Sequence, residues 1–598
     1  MGGPTHLMYS LGALRQLLLI IAFALIVGTV TPAGADGPVT TIEGNHPDEA
    51  ADVVGAGAAS MSQPLAMRLT MSLRHRDELA QLLSEQENPA SSQYHRWLTP
   101  DVFTSRFGPT DGDVARVAGW LKKKGFTVNS ADASTREVSF TGTVAQAQSA
   151  FGVKIAATVD GRMYSNTTDP SVPAELAPMV ESIHGLDNLL HSQPMVHRVS
   201  KPAPGASSPE SVVNGRGPSF GPPDIYTFYD ETPLLNENID GSGNGCIAVV
   251  EDSNIDQPAA DAFNTQFNLP PLISGSNFST VLVDGTNPQQ NADADETMVD
   301  VSYSHAVAPG SSIRMYLGDQ SHTSSDAILD AIHAAVTETN NPCSAISISF
   351  SFCGGSKKFF ETQGSFFAQA AAQGQSVFVA TGDTGAAGLK VNSKGVCVTG
   401  TARSVNEIGA SPNVTAIGGT EFSPDYSGGD DVGSVSESVW NDSRAVKGGH
   451  AAGGGESKVF KKPTFQNGLF KSDKMRDVPD ISFGASPNAP GFFFGGRDDH
   501  NMPAVICCIG GTSVGAPAWA GISQLISQSN GAPIGNLNAR IYQLGAEANG
   551  AMTGIRDVTS GKTSFHGVTG FSATIGYDKA SGWGTVDMGL FVPAFLAP

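Results

Sequence analysis

Charge is scarce in this chain: only 15% of its 598 residues are charged, and Lys plus Arg (35) fall short of Asp plus Glu (57), a formal net charge of −22. No dense basic stripe is present to neutralise phosphates, which argues against nucleic acid as a partner. The same carboxylate excess is largely neutralised in acid, so the composition is compatible with work at low pH. Cysteine is rare too. The six are Cys246, Cys343, Cys353, Cys397, Cys507 and Cys508; none forms a CxxC pair, so a zinc site is unsupported. An even count in an exported chain permits disulfides without fixing their pairing, although the neighbours Cys507 and Cys508 are expected not to bond each other. Long apolar runs are missing as well. The one candidate, Leu17 to Val30, follows Arg15 and precedes Ala33-Gly34-Ala35, the order of a secretory signal with an A-x-A cleavage site. It is short of the ~20 residues that cross a bilayer. Residues 1–35 are therefore read as a signal peptide and the product as secreted, with no membrane span after signal removal.

Glycine is plentiful, 69 of 598, as in a globular chain rich in turns and close backbone approaches. The length exceeds what one compact core absorbs and suggests two folded units. From Met71 to Val128 the pattern is helical, with Leu73, Leu79, Leu82 and Leu83 as candidate core positions and Asp111 and Asp113 as possible caps. Short strand-like pieces follow at Phe126 to Asn129, Glu137 to Thr141 and Val153 to Thr158, which makes residues 36–197 a small α+β unit. Residues 198–223 are Ser-, Pro- and Gly-rich and read as a cleavable linker. Beyond it, apolar runs at Cys246 to Glu251, Thr280 to Val283, Ser312 to Tyr316, Ala345 to Ser349 and Ser376 to Ala380 alternate with helical stretches. That alternation predicts an α/β domain over 224–598 with a largely parallel sheet.

In such a sheet, working residues are expected at the carboxyl ends of strands. Three places fit. Glu296 and Asp300 are four apart and share one helix face; the same spacing also suits a solvated acidic face. Asp383 follows an apolar strand into a Gly-bracketed turn, where an aspartate often just bonds its own backbone. Ser513 lies in Gly511-Thr512-Ser513-Val514-Gly515-Ala516-Pro517, either a helix cap or a nucleophile with room for a substrate backbone. A nucleophilic serine needs a base, and no histidine sits in a motif that recommends it. His305 shares the Glu296 stretch but reads more readily as structural. A carboxylate is the other option: with a reference pKa of ~4.3, Glu can accept a proton in acid where histidine is already protonated.

Together these blocks resemble the sedolisin family of serine-carboxyl peptidases, subtilisin-fold enzymes with an activation prodomain. Gly511-Thr512-Ser513 to Pro517 is similar to the family's GTSxxxP motif, Glu296-Thr-Met-Val-Asp300 to its ExxxD helix, and Thr381-Gly382-Asp383 to its oxyanion segment. The blocks "YHRWLTPDVFTSRFGPT" and "VAGWLKKKGFTV" resemble the prodomain. The resemblance implies a subtilisin-like catalytic domain preceded by a small α+β prodomain that inhibits intramolecularly, and protein or peptide substrates cleaved by a monomer. It implies Ser513 as nucleophile, Glu296 as base, Asp300 as the residue that orients it, and Asp383 as oxyanion donor. It also implies one structural Ca²⁺, held by Asp557 and Asp578 with the carbonyls of Val558, Thr574 and Gly576. Ser349-Phe350-Ser351 stands where many members have Ser-Trp-Gly. Both an endopeptidase and a tripeptidyl exopeptidase fit the family, and a non-catalytic secreted binding protein on the same fold is the alternative of another class. Pepsin-like enzymes need a second Asp-Thr-Gly or Asp-Ser-Gly and true subtilisins a His-Gly-Thr helix; the chain has neither.

Overall fold

Strands that are apolar on both faces must be covered on both sides, and this dictates the layers of the larger unit. The structure, a computed structural model, describes residues 1, 37–55, 57–199, 219–243, 245–321, 326–422, 436–443, 449–547 and 552–597. Residues 2–35 of the expected signal and 200–218 of the expected linker lie outside them.

Six strands form a parallel sheet in the order Phe278–Leu282, Ser312–Leu317, Cys246–Glu251, Ala345–Ile348, Ser376–Ala380, Thr415–Glu421. Ile481–Gly484 adds to the last of these in parallel and Ser438–Val439 antiparallel. Ile247 and Val249 join the core that holds Tyr303 and Trp519, while Ala248 and Val250 face the opposite core with Phe366 and Phe367. This is the expected α/β domain, and two of its strands, Cys246–Glu251 and Ser376–Ala380, begin and end where the sequence places them.

The smaller unit is α+β, also as expected. Its antiparallel sheet runs Thr127–Asp132, Glu137–Thr143, Pro64–Met71, Val180–His184 over a separate apolar core. Two details differ from the sequence reading. Met71 ends a strand instead of opening a helix, and the Asp111–Lys123 helix is capped by Thr110, which exchanges hydrogen bonds with Asp113 in a capping box.

Two disulfides tie the larger unit, Cys246–Cys343 and Cys353–Cys397. The third joins Cys507 to Cys508, contrary to expectation, across a cis peptide. Among the described residues no helix is long and apolar enough to cross a membrane.

Candidate active site

The helix Ala294–Val307 is buried along almost its whole length, so its polar side chains must find partners inside the protein. Thr297 donates to Glu251 Oε2 at 3.1 Å, and His305 Nε2 lies 2.7 Å from the Pro270 carbonyl, a structural role with no contact to Ser513. Glu296 and Asp300 project from one face, as the four-residue spacing requires, and both are fully buried, so the acidic face is not solvated. Asp300 Oδ1 accepts from the Ser349 hydroxyl at 2.7 Å and Oδ2 from Ser347 at 3.5 Å.

Burial pushes the Asp300 carboxyl up to about 8 despite those hydroxyls. Burial and then the Asp300 charge hold Glu296 well above the usual carboxylate range, against the nearby Ser513 hydroxyl, which favours its charge. Glu251, at the end of the central strand, is raised by burial and by both of these acids. Three carboxyls this close cannot all ionise, so they share protons as one coupled group. Both Glu296 oxygens are buried without a hydrogen bond of normal geometry.

Ser513 lies in the short turn Thr512–Val514 ahead of the helix Gly515–Asn530. It caps neither element: its hydroxyl donates instead to the Ser349 carbonyl at 3.3 Å. The small neighbours divide in purpose. A Cβ on Gly511 (φ +136°) would stand 2.0 Å from the Met195 carbonyl oxygen and 2.7 Å from Asp383 Oδ2, whereas one on Gly515 would strike Ile417. Only Gly511 makes room for a second backbone; Gly515 is a core contact. Asp383 does not bond its own turn. Its Oδ1 accepts from the Thr512 N–H at 2.9 Å and hydroxyl at 2.7 Å, while Oδ2 is buried without a hydrogen bond.

The second backbone belongs to the chain itself. Residues 191–194 pair antiparallel with Phe350–Cys353, Met195 N–H donates to the Ser349 carbonyl at 3.1 Å, and the Met195 carbonyl accepts from the Ser513 N–H at 3.3 Å. His197 and Arg198 then pair antiparallel with Gly510 and Ile509. His197 stacks on His450 at 3.3 Å between ring centres, with its Nε2 3.0 Å from Asp383 Oδ2. Alongside lies a cleft of about 400 Å³ lined by Met195, His197, Asp383, Leu389, Val398 and His450.

Residues 51–189 match the family model described as Pro-kumamolisin, activation domain. The chain is 26% identical over 590 residues to sedolisin of Pseudomonas sp. (strain 101), covering 95% of each. The chain belongs to the sedolisin family. It is also 24% identical to tripeptidyl-peptidase 1 of Mus musculus over 579 residues, 91% of this chain and 94% of that one. The solved structure of Pseudomonas sedolisin complexed with two molecules of pseudo-iodotyrostatin matches with a TM-score of 0.51 at 25% identity, over 63% of this chain and 98% of that one. The chain is thus a sedolisin-family serine-carboxyl peptidase with a subtilisin-like domain and an activation prodomain.

Sequence reasoning about this sedolisin-type site missed Glu251, Ser349, His197 and His450. Glu251 carried a usable signal, an acid at the carboxyl end of a fully buried strand. The two halves of the expected calcium site do come together. Gly576 N–H donates to Asp557 Oδ2 at 2.8 Å and Thr574 N–H to Asp578 Oδ2 at 2.6 Å, while the Val558 carbonyl accepts from Ser581 at 3.3 Å. Burial raises both carboxyls, and no Lys or Arg among the described residues pairs with either. The other acidic cluster, Glu456, Asp473 and Asp477, is already compensated by Lys462 and Lys579.

Proposed function

We propose that the chain is the precursor of a secreted, acid-acting serine-carboxyl endopeptidase, with Ser513, Glu296, Asp300 and Asp383 as its catalytic residues. One observation carries the reading: a single peptide carbonyl, that of Met195, accepts from the Ser513 N–H beside Asp383 Oδ2, which makes no hydrogen bond and lies 3.0 Å from His197 Nε2, with Glu296 buried next to the Ser513 hydroxyl. Among the described residues no histidine hydrogen-bonds Ser513, which leaves the carboxylate as base.

In this mechanism Ser513 Oγ attacks the substrate carbonyl and Glu296 takes its proton while holding the charge of the coupled acid group. Asp300, fixed by Ser347 and Ser349, orients Glu296 and tunes its charge. The oxyanion is received by the Ser513 N–H and Asp383. Asp383 serves that role as a hydrogen-bond donor, since an ionised carboxylate would repel the developing charge. Glu296 then returns its proton to the leaving amine, and water resolves the acyl-enzyme by the reverse sequence.

The endopeptidase reading is supported by the cleft, because strand pairing with Phe350–Cys353 continues back to His191. A tripeptidyl peptidase needs the cleft closed three residues before the bond it cuts. The prodomain acts as intramolecular inhibitor by filling this cleft. One structural Ca²⁺ completes the Asp557–Asp578 loops: their donors are oxygens only, which suits a hard cation, and the two raised carboxyls lack a counter-charge. Val558, Thr574 and Gly576 supply carbonyls there.

The test is cleavage of a long N-acetylated peptide by the processed enzyme, with Ser513→Ala as control. Internal cuts abolished by the substitution are expected. Release of tripeptides from free N-termini only would replace the endopeptidase reading with the tripeptidyl one, and no cleavage of any peptide would favour a binding protein.

A further inference from the structure

We infer that Met195–Val196 is the bond Ser513 cuts first when the precursor matures, so that the first new N-terminus is Val196, just upstream of the linker expected at 198–223. The inference rests on the proposed function and assigns the chain's own tail to that site as a substrate.

The chain does more than lie nearby; it is held in register on both sides of one bond. On the N-terminal side, the pairs His191 with Cys353 through Pro194 with Phe350 set the strand, and the Met195 N–H to Ser349 bond of 3.1 Å continues it. On the C-terminal side, His197 opposite Gly510 and Arg198 opposite Ile509 set the exit, extended by the exchange between Val199 and Cys508 at 2.9 and 3.2 Å. Between these anchors the Met195 carbonyl oxygen is bound by the Ser513 N–H and shares the Gly511 gap with Asp383 Oδ2. A shift of one residue would break both ladders and turn the carbonyl away, because side chains and carbonyls alternate along an extended strand.

The side chain agrees with the register. Met195 is 1% exposed, and its sulfur lies 3.7 Å from where a Cβ on Gly382 would stand, so a glycine forms one wall of its pocket. An apolar residue fits that space; a charge does not.

The step balances without a co-reactant other than water. Ser513 Oγ bonds to the Met195 carbonyl carbon as its proton passes to Glu296. The Met195–Val196 C–N bond breaks, and that proton goes to the Val196 nitrogen. Water then adds its oxygen to the Met195 acyl group and its proton returns through Glu296 to Ser513.

The experiment is intact-mass analysis of the full-length precursor during acidification, together with Ser513→Ala, Met195→Leu and Met195→Asp, while casein cleavage is followed in the same samples. The first fragments are expected to end at Met195 and begin at Val196. Met195→Leu should leave the rate within about threefold, Met195→Asp should slow this cut by about 10–100-fold, and Ser513→Ala should stay intact. Should Met195→Asp fail to fold, a peptide of residues 190–200 offered to processed enzyme asks the same question, with cleavage after methionine expected. A precursor that digests casein but first cuts elsewhere, or a peptide left uncut after methionine, overturns this inference and spares the proposed function. A precursor that cuts neither itself nor casein sinks both.

Discussion

Glu137 of the prodomain and Asp300 of the peptidase domain are both carboxyls withdrawn from water, yet they move in opposite directions. Burial favours the neutral form of each. At Glu137 the charge of Arg68, 3.4 Å away, and the hydrogen-bonded ring of His333, at 2.9 Å, outweigh it and hold the carboxyl down at about 2. At Asp300 the neighbours are acids and hydroxyls, and the carboxyl rises to about 8. The difference is one cation. Arg68 also pairs with Asp330, and His333 and Asp330 belong to the peptidase-domain helix Ala327–Thr337, so the region where charge is favoured is the seam that holds the prodomain down. The region where charge is disfavoured is the site that the prodomain covers.

Opposite shifts give opposite pH slopes. A depressed carboxyl supports docking above its free value of 4.5, and that support is lost as pH falls towards about 2. His184, beside Phe359 of the peptidase domain, is pushed down to about 3 by burial and then by Arg68 and His333. The docked state therefore takes up fewer protons than the free prodomain between about 3 and 6.5, and docking weakens as pH falls through that window. The raised acids of the site do the reverse: they favour the folded peptidase domain below 3.8, and the benefit is lost as pH rises through about 8. Acid thus loosens the seam and suits the site.

The largest effect should come from removing charge where it is needed for chemistry. Glu296→Gln is expected to lower kcat about 10³-fold, or ~4 kcal/mol, with the melting temperature unchanged or raised; single-turnover assays and calorimetry check both. Next, Arg68→Met erases the cation that separates the two regions. It removes the guanidinium from beside Glu137 and Asp330 and should weaken prodomain binding by about 3 kcal/mol, read as the dissociation constant of the separate prodomain and as activation beginning at higher pH. A similar size is expected at the acidic pair with no protein cation: saturating Ca²⁺ should stabilise the processed enzyme by about 2.7 kcal/mol at 100 times Kd, visible by calorimetry, and Asp578→Asn should erase the gain. Without any substitution, prodomain affinity should fall at least about tenfold between pH 6.5 and 4, measured by inhibition titration; affinity that rises in that window contradicts the sign assigned to His184. The smallest change is Glu251→Gln, which removes one acid from the coupled group and should lower kcat a few-fold, about 1 kcal/mol, while shifting the acid limb of the pH profile downwards.

These regions were not equally legible in the sequence. The central strands were, because apolar runs such as Cys246–Glu251, buried on both faces, tolerate few other readings. Glu296 and Asp300 were legible because helical spacing puts both on one face. The strand Pro64–Met71 was missed: its residues alternate, PLAMRLTM, and they run directly into a leucine-rich helical stretch. The seam was invisible, since Arg68, Glu137 and His333 come from elements far apart in the chain and only packing joins them. Glu251 and Ser349 were hidden likewise, one reading as the end of an apolar strand and the other as part of the Ser349-Phe350-Ser351 block. His197 stood at the edge of a segment that looks like linker, and its place beside Asp383 depends on a register that no local pattern encodes.

The most direct test of a carboxylate-based site is the pH dependence of kcat/KM for the processed enzyme from pH 2 to 8, measured on one peptide with Ser513→Ala as blank. Activity that persists in acid, where a histidine base is already protonated, is what a carboxylate base predicts. A maximum near pH 7 would mean that histidine takes the serine's proton, and would contradict the account at its centre.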